Sequence, residues 1–128
     1  MLHFWTKLQP KVAPSSGEAE LLSSNKGLSE FVYCVNLARE IADDAHWGDG
    51  NLEHQVDATA CRSLLLRRGV GGVKHLEVRD LWGQDIIQRY RIAVTKVPRS
   101  ANVADALASP SARTDVQSKL ERVGVLYR

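Results

Sequence analysis

Three acidic residues, Glu20, Asp57 and Asp105, stand where a carboxylate has chemistry open to it beyond keeping a surface wet. Glu20 belongs to the run Pro14-Ser15-Ser16-Gly17-Glu18-Ala19-Glu20-Leu21-Leu22. Two serines ahead of an apolar periodic run mark a helix start, and Ser15 with Glu18 fits the capping box S-x-x-E. Two acids in the first turn also complement the positive end of the helix dipole. Capping accounts for Glu18 and leaves Glu20 over. Asp57 follows a short strand and precedes a helical run. The carboxyl end of a strand is where open α/β sheets build ligand sites, and an N-cap aspartate is the alternative reading there. Asp105 lies between alanines in a short helix of small residues, where an acid has little structural purpose unless it faces water or a cation.

Other chemically suggestive stretches carry less. Asp43-Asp44-Ala45-His46-Trp47-Gly48-Asp49-Gly50-Asn51 holds possible metal ligands, but they crowd one loop with no second cluster, so a solvated turn is expected. The glycines of Gly69-Val70-Gly71-Gly72-Val73-Lys74-His75 fit neither phosphate-loop spacing and read as a connector. Cys34 and Cys61 form no C-x-x-C pair and fall among apolar residues of predicted helices, which predicts buried free thiols in a reducing compartment.

The elements that must position the three acids follow from periodicity. Residues 2–8 alternate as a strand, and Pro10 and Pro14 punctuate the loop that leads to the first helix. Residues 18–42 are helical, with Leu21, Leu28, Val35 and Ala42 on one face and Phe31, Ala38 and Ile41 beside them. Gly27 interrupts this stripe, which suggests a kink or close packing. A strand over 52–56 runs into a helix ending at Gly69, a natural left-handed cap. Residues 73–90 read as a third helix with Val78, Trp82, Ile86 and Tyr90 at i+4 steps. Lys74, His75, Arg79 and Arg89 decorate it, by default as a solvated face. Residues 91–97 form a β-branched strand ended by Pro98. A short helix then holds Asp105, capped by Ser100 or Asn102 and stopped before Pro110. A last helix over 114–123 aligns Val116, Leu120 and Val123 and ends at Gly124.

With 128 residues and 44% hydrophobic content, the chain is one domain, 1–128, able to bury a core. A net charge of +2 is too small to argue for nucleic acid by itself. The N-terminus lacks the regions of a signal peptide and no apolar run reaches membrane-spanning length, so a soluble intracellular protein of the cytoplasm or nucleus, with no membrane partner, is expected.

Taken in order, these segments resemble the ribonuclease H domain of copia-type retrotransposon polyproteins. The likeness starts at Trp5 and runs through Gln9-Pro10, Val12-Ala13, Ser15-Ser16 and Glu18-Ala19-Glu20-Leu21. It continues at Val56-Asp57-Ala58-Thr59-Ala60-Cys61 and at Val73-Lys74-His75-Leu76-Glu77-Val78-Arg79. It closes at Val97-Pro98, Asn102-Val103-Ala104-Asp105-Ala106-Leu107, Ser109-Pro110 and the tail through Leu120 and Gly124-Val125-Leu126. Each motif alone is weak; four in register cover nearly the whole chain.

The resemblance implies an α/β, RNase H-like fold and two-metal hydrolysis of the RNA strand of an RNA–DNA hybrid. It places Glu20, Asp57 and Asp105 as metal-holding catalytic carboxylates, with Mg²⁺ as the cofactor and Mn²⁺ as its substitute. Lys74, Arg79, Arg89 and Arg99 are the candidate contacts to the hybrid backbone, read by shape instead of sequence. The family's first catalytic aspartate lies upstream of the tryptophan segment, and no Asp precedes Asp43 here. Impaired hydrolysis is therefore expected, and a non-catalytic nucleic-acid-binding or interaction module with the same fold is the alternative. Ala108-Ser109-Pro110 lacks the family's lysine, and Arg99-Ser100-Ala101-Asn102 lacks the histidine of cellular ribonucleases H. Without the family's first two strands, an incomplete mixed sheet of about three strands is expected, packed against several helices. Residues 2–8 would lie beside 52–56, joined by a right-handed crossover. An exposed sheet edge would favour self-association or completion by an upstream polyprotein segment.

Overall fold

The computed structural model describes residues 12–13, 15–46, 51–72, 76–105 and 113–124. Helix α1 spans Ser16–His46 and, at 31 residues, is about 46 Å long. Its start is the one the sequence marks. The Glu18 amide donates to Ser15 Oγ at 3.2 Å, and the Ala19 amide donates to the Ser15 carbonyl at 3.0 Å. Its end lies later than expected. Asp43–His46 continue the helix instead of opening a loop, because the run contains no glycine or proline to stop propagation before Gly48. Leu21, Leu28 and Val35 are buried along one face, but Ile41, expected beside them, is exposed. The helix passes through Gly27 without a break. A Cβ there would meet only His54 Cε1, at an ordinary 3.8 Å, so neither a kink nor close packing requires this glycine.

Strands β1 (Glu53–Val56) and β2 (Ala93–Lys96) pair in parallel, in a register running from Glu53 with Ala93 to Val56 with Lys96. The bond from the Ala93 amide to the Leu52 carbonyl and that from Val97 to Val56 extend the ladder at both ends. Among the described residues the sheet has these two strands and is parallel, smaller than the mixed sheet expected. The strand expected over 2–8, with its place beside β1, lies outside the described residues.

A parallel pair needs a crossover, and helices α2 (Thr59–Leu66) and α3 (Trp82–Arg89) supply it. The single helix expected over 73–90 is shorter. A 3-10 turn over Val78–Leu81 precedes α3, while Glu77 is extended. Glu77 and Asp80 form a capping box, the Glu77 amide donating to Asp80 Oδ2 at 3.1 Å, and this fixes the start at Val78. The buried face of α3 is also not the expected i+4 stripe. Gly83, Gln84, Ile86 and Ile87 face inward, while Val78 and Trp82 are exposed. Gly83 selects this face. A Cβ there would lie 2.2 Å from Asn25 Oδ1 and 3.2 Å from the methyls of Leu28 and Leu65. Only glycine lets α3 come this close to α1 and α2.

After α3 the chain turns at Arg91 with φ +53, a left-handed conformation usually given to glycine. The Ile92 amide donates to the Ile87 carbonyl at 2.9 Å and Arg91 to Gln88 at 3.4 Å, the two bonds of a Schellman motif, with Ile87 and Ile92 both buried. Beyond β2 a 3-10 turn spans Arg99–Ala101. Asn102, not Ser100, caps the step into Asp105, its Oδ1 accepting from the Ala104 amide at 3.1 Å. Helix α4 spans Arg113–Glu121, with Gly124 left-handed after it as expected. One core gathers Leu21 and Leu28 of α1, Val56, Cys61, Leu64 and Leu65, and Ile86, Ile87, Ile92 and Val94.

Candidate active-site cleft

Because β1 and β2 run the same way, the loops leaving their carboxyl ends emerge on one side of the sheet. Asp57 directly follows β1, and the segment from Arg99 to Asp105 follows β2. The start of α1 adds Ser16, Gly17 and Glu20. These elements enclose a cleft of about 410 Å³ lined by Ser16, Gly17, Glu20, Asp57, Ala58, Ala60, Arg99 and Asp105. Small residues make the approach possible. A Cβ on Gly17 would stand 3.3 Å from that of Ala60, so the first turns of α1 and α2 are nearly in contact.

All three acids named from the sequence thus line one cleft, although 37 and 48 positions separate them along the chain (57 − 20 and 105 − 57). Glu18 is 7% exposed and outside the lining, as its capping position implies. The alternative reading of Asp57 as an N-cap fails. Ala58 holds the cap position of α2 and no side chain caps it. Instead Asp57 Oδ2 accepts a hydrogen bond from Asn102 Nδ2 at 3.2 Å, tying the two strand-end loops together. Asp105 Oδ1 faces Arg99 Nε at 3.5 Å, and Oδ2 faces Lys119 Nζ at 3.5 Å.

The electrostatics agree with this convergence. Although much of Glu20 reaches solvent, partial loss of hydration raises its pKa from the ordinary carboxylate value, and the charge of Asp57 raises it further. Arg99 opposes this, and Asp105 adds to it. Cys61, fully buried at the edge of the site, has its thiol pKa raised by burial, against a bond with Ser24 Oγ at 3.3 Å that lowers it. Cys34 is only half-buried, less than the sequence suggested, and both thiols are free.

The basic residues are not gathered here. Arg79 pairs with Glu77 at 2.7 Å and Arg89 with Asp85 at 2.6 Å, each on the surface and away from the cleft lining. Lys74 lies outside the described residues. Of the three that are described, Arg99 alone lines the cleft, and it is exposed. Sequence reading missed Lys119. Its signal was present, since 116, 119, 120 and 123 share one helical stripe and Lys119 interrupts its apolar residues.

Among the described residues, no three His, Cys, Asp or Glu side chains come close enough together to hold a metal ion. Both oxygens of Asp105 already face protein cations. As arranged, the three acids do not fit a shared Mg²⁺. No described helix is long and apolar enough to cross a membrane. Comparison with protein-family models, curated proteins and solved structures finds no significant match. The class that the structure itself defines is a helix-rich mixed α/β domain with a small parallel sheet and an acidic cleft at its carboxyl end.

Proposed function

We propose that this chain is an RNase H-type domain of retrotransposon origin that takes RNA–DNA hybrid as its ligand and hydrolyses it weakly or not at all. One observation carries the reading. Glu20, Asp57 and Asp105, distant in sequence, line one cleft beside the carboxyl ends of the two parallel strands. Arg99 at the rim, 77% exposed and at 3.5 Å from Asp105, is the nearest described cation for a phosphate, and Arg79 and Arg89 are held by tighter pairs with their local carboxylates. The second reading, a binding module without chemistry, is favoured by the pairing of both Asp105 oxygens with protein cations.

A labelled RNA–DNA hybrid incubated with Mg²⁺ and with Mn²⁺, beside an Asp57→Asn control, tests the proposal. Binding of hybrid with little or no cleavage is the expected result. Robust cleavage that disappears in Asp57→Asn would refute the impairment, and failure to bind hybrid would refute both readings.

A further inference from the structure

Lys119 on α4 is only 4% exposed. Burying an ammonium group is costly unless carboxylates compensate it, and two do: Asp105 Oδ2 at 3.5 Å and Asp115 Oδ2 at 3.3 Å. Both separations are longer than the roughly 2.8 Å of a tight charge-assisted bond. Lys119 is therefore shared between the two acids as a point charge, with its stem packed inside the fold. Arg99 faces the remaining oxygen of Asp105 from the outside. Of the three cleft carboxylates, one is thus neutralised from both sides by the chain's own cations.

We propose that Lys119, with Arg99 as its outer partner, is a built-in cation: a positioning residue that holds Asp105 toward α4 and competes with any divalent ion for it. The cleft then keeps its form without a metal and binds one weakly. This inference rests on reading the cleft as RNase H-type, and it explains why three convergent acids do not close around one ion. A divalent cation that recruits Asp105 must compete with Lys119 and Arg99 for it, so metal affinity depends on residues that are not ligands. Lysine suits the role better than a neutral residue, because losing its charge would leave more of the negative charge of Asp105 uncompensated and available to an ion.

The test is a titration of the full chain with Mn²⁺ alone, followed by the spectroscopic signal of the free aqueous ion. Lys119→Met is expected to bind Mn²⁺ roughly tenfold more tightly than the parent, since one competing charge within hydrogen-bonding range has gone. Lys119→Arg, which keeps the charge, is expected to remain as weak as the parent; a merely structural role would not follow charge in this way. Arg99→Gln, at an exposed position, carries the same test should Lys119→Met fail to fold, and a gain of roughly threefold is expected because the Arg99 charge is itself screened by solvent. No gain in a folded Lys119→Met, or none in Arg99→Gln when that variant must serve, overturns the proposal. Added Asp105→Asn must abolish the gain; persistence would overturn it too. Added Asp57→Asn separates the two readings. Loss of the gain supports a shared RNase H-type site, whereas a gain that survives Asp57→Asn but not Asp105→Asn keeps the Lys119 contact and refutes that site.

Discussion

The region where α3 meets α1 and α2 and the cleft at the strand ends are built on opposite terms. In the first, Leu28, Leu65, Ile86 and Ile87 are nearly dry, and polar groups that enter are given partners, apart from Asn25 Oδ1, which is buried without one. Gln84 donates from Nε2 to the Leu64 carbonyl at 2.7 Å and accepts at Oε1 from the Gly69 amide at 2.9 Å, closing the end of α2. Asn25 donates to the Asp80 carbonyl at 2.7 Å. In the cleft, small residues leave space, charges face one another at longer range, and Glu20 carries a raised pKa. Burial sets stability in the first region, while charge balance sets what the second can bind. The two adjoin at Cys61, buried in the core beside the acids.

Substitutions in the packed region are expected to have the largest effects on stability and none on cleft chemistry. Leu65→Ala should cost about 3 kcal/mol, read as a lowered urea midpoint, because Leu65 is 1% exposed and its removal opens a cavity between α2 and α3. Gly83→Ala should follow at roughly 1–3 kcal/mol, since the new methyl must push Asn25 from its bond to Asp80. Arg91→Gly should act in the other direction, stabilising by about 0.5–1 kcal/mol as the left-handed strain is relieved and partly offset by chain entropy.

The smallest change belongs to the cleft and depends on pH. The folded-state pKa of Glu20 is raised above 4.5, so the folded chain binds that proton more readily than the unfolded one. Its favourable contribution is full below the unfolded value and is lost as pH rises through the folded value, leaving a penalty at neutrality. Glu20→Gln should therefore raise the melting temperature slightly at pH 7, with the difference shrinking as pH falls through the raised folded value toward and past 4.5. A Glu20→Gln variant less stable at pH 7 would contradict the raised pKa that desolvation and the neighbouring acids give Glu20. His54 supplies an independent slope. Burial lowers its pKa from 6.5, so its contribution to stability is lost as pH falls below 6.5 through the folded value, and a neutral replacement should remove that loss.

The legible parts of this fold were those fixed by neighbours in sequence. Ser15 and Glu18 announced the start of α1, and the strand-to-helix step at Asp57 was visible because periodicity changes there. The end of α1 and the inward face of α3 depended on tertiary choices. Nothing local stops Asp43–His46 from remaining helical, and only the approach of Asn25, Leu28 and Leu65 shows why Gly83, not Trp82, must face inward. The grouping of Glu20, Asp57 and Asp105 was expected only from the resemblance, since their sequence separation carries no spatial information. Lys119 was overlooked because a lysine in an apolar stripe is ordinarily solvated at its tip, whereas here Asp105 and Asp115 allow it to be buried.

The most direct measurement is fluorescence anisotropy of a labelled RNA–DNA hybrid against the same sequence as duplex DNA, with the parent chain and with Arg99→Ala. Tighter binding of hybrid than of DNA, weakened in Arg99→Ala, is the predicted result and would place the ligand at the cleft. Equal or absent binding of the two duplexes, or full binding by Arg99→Ala, would contradict the central claim that this acidic cleft is an RNase H-type site.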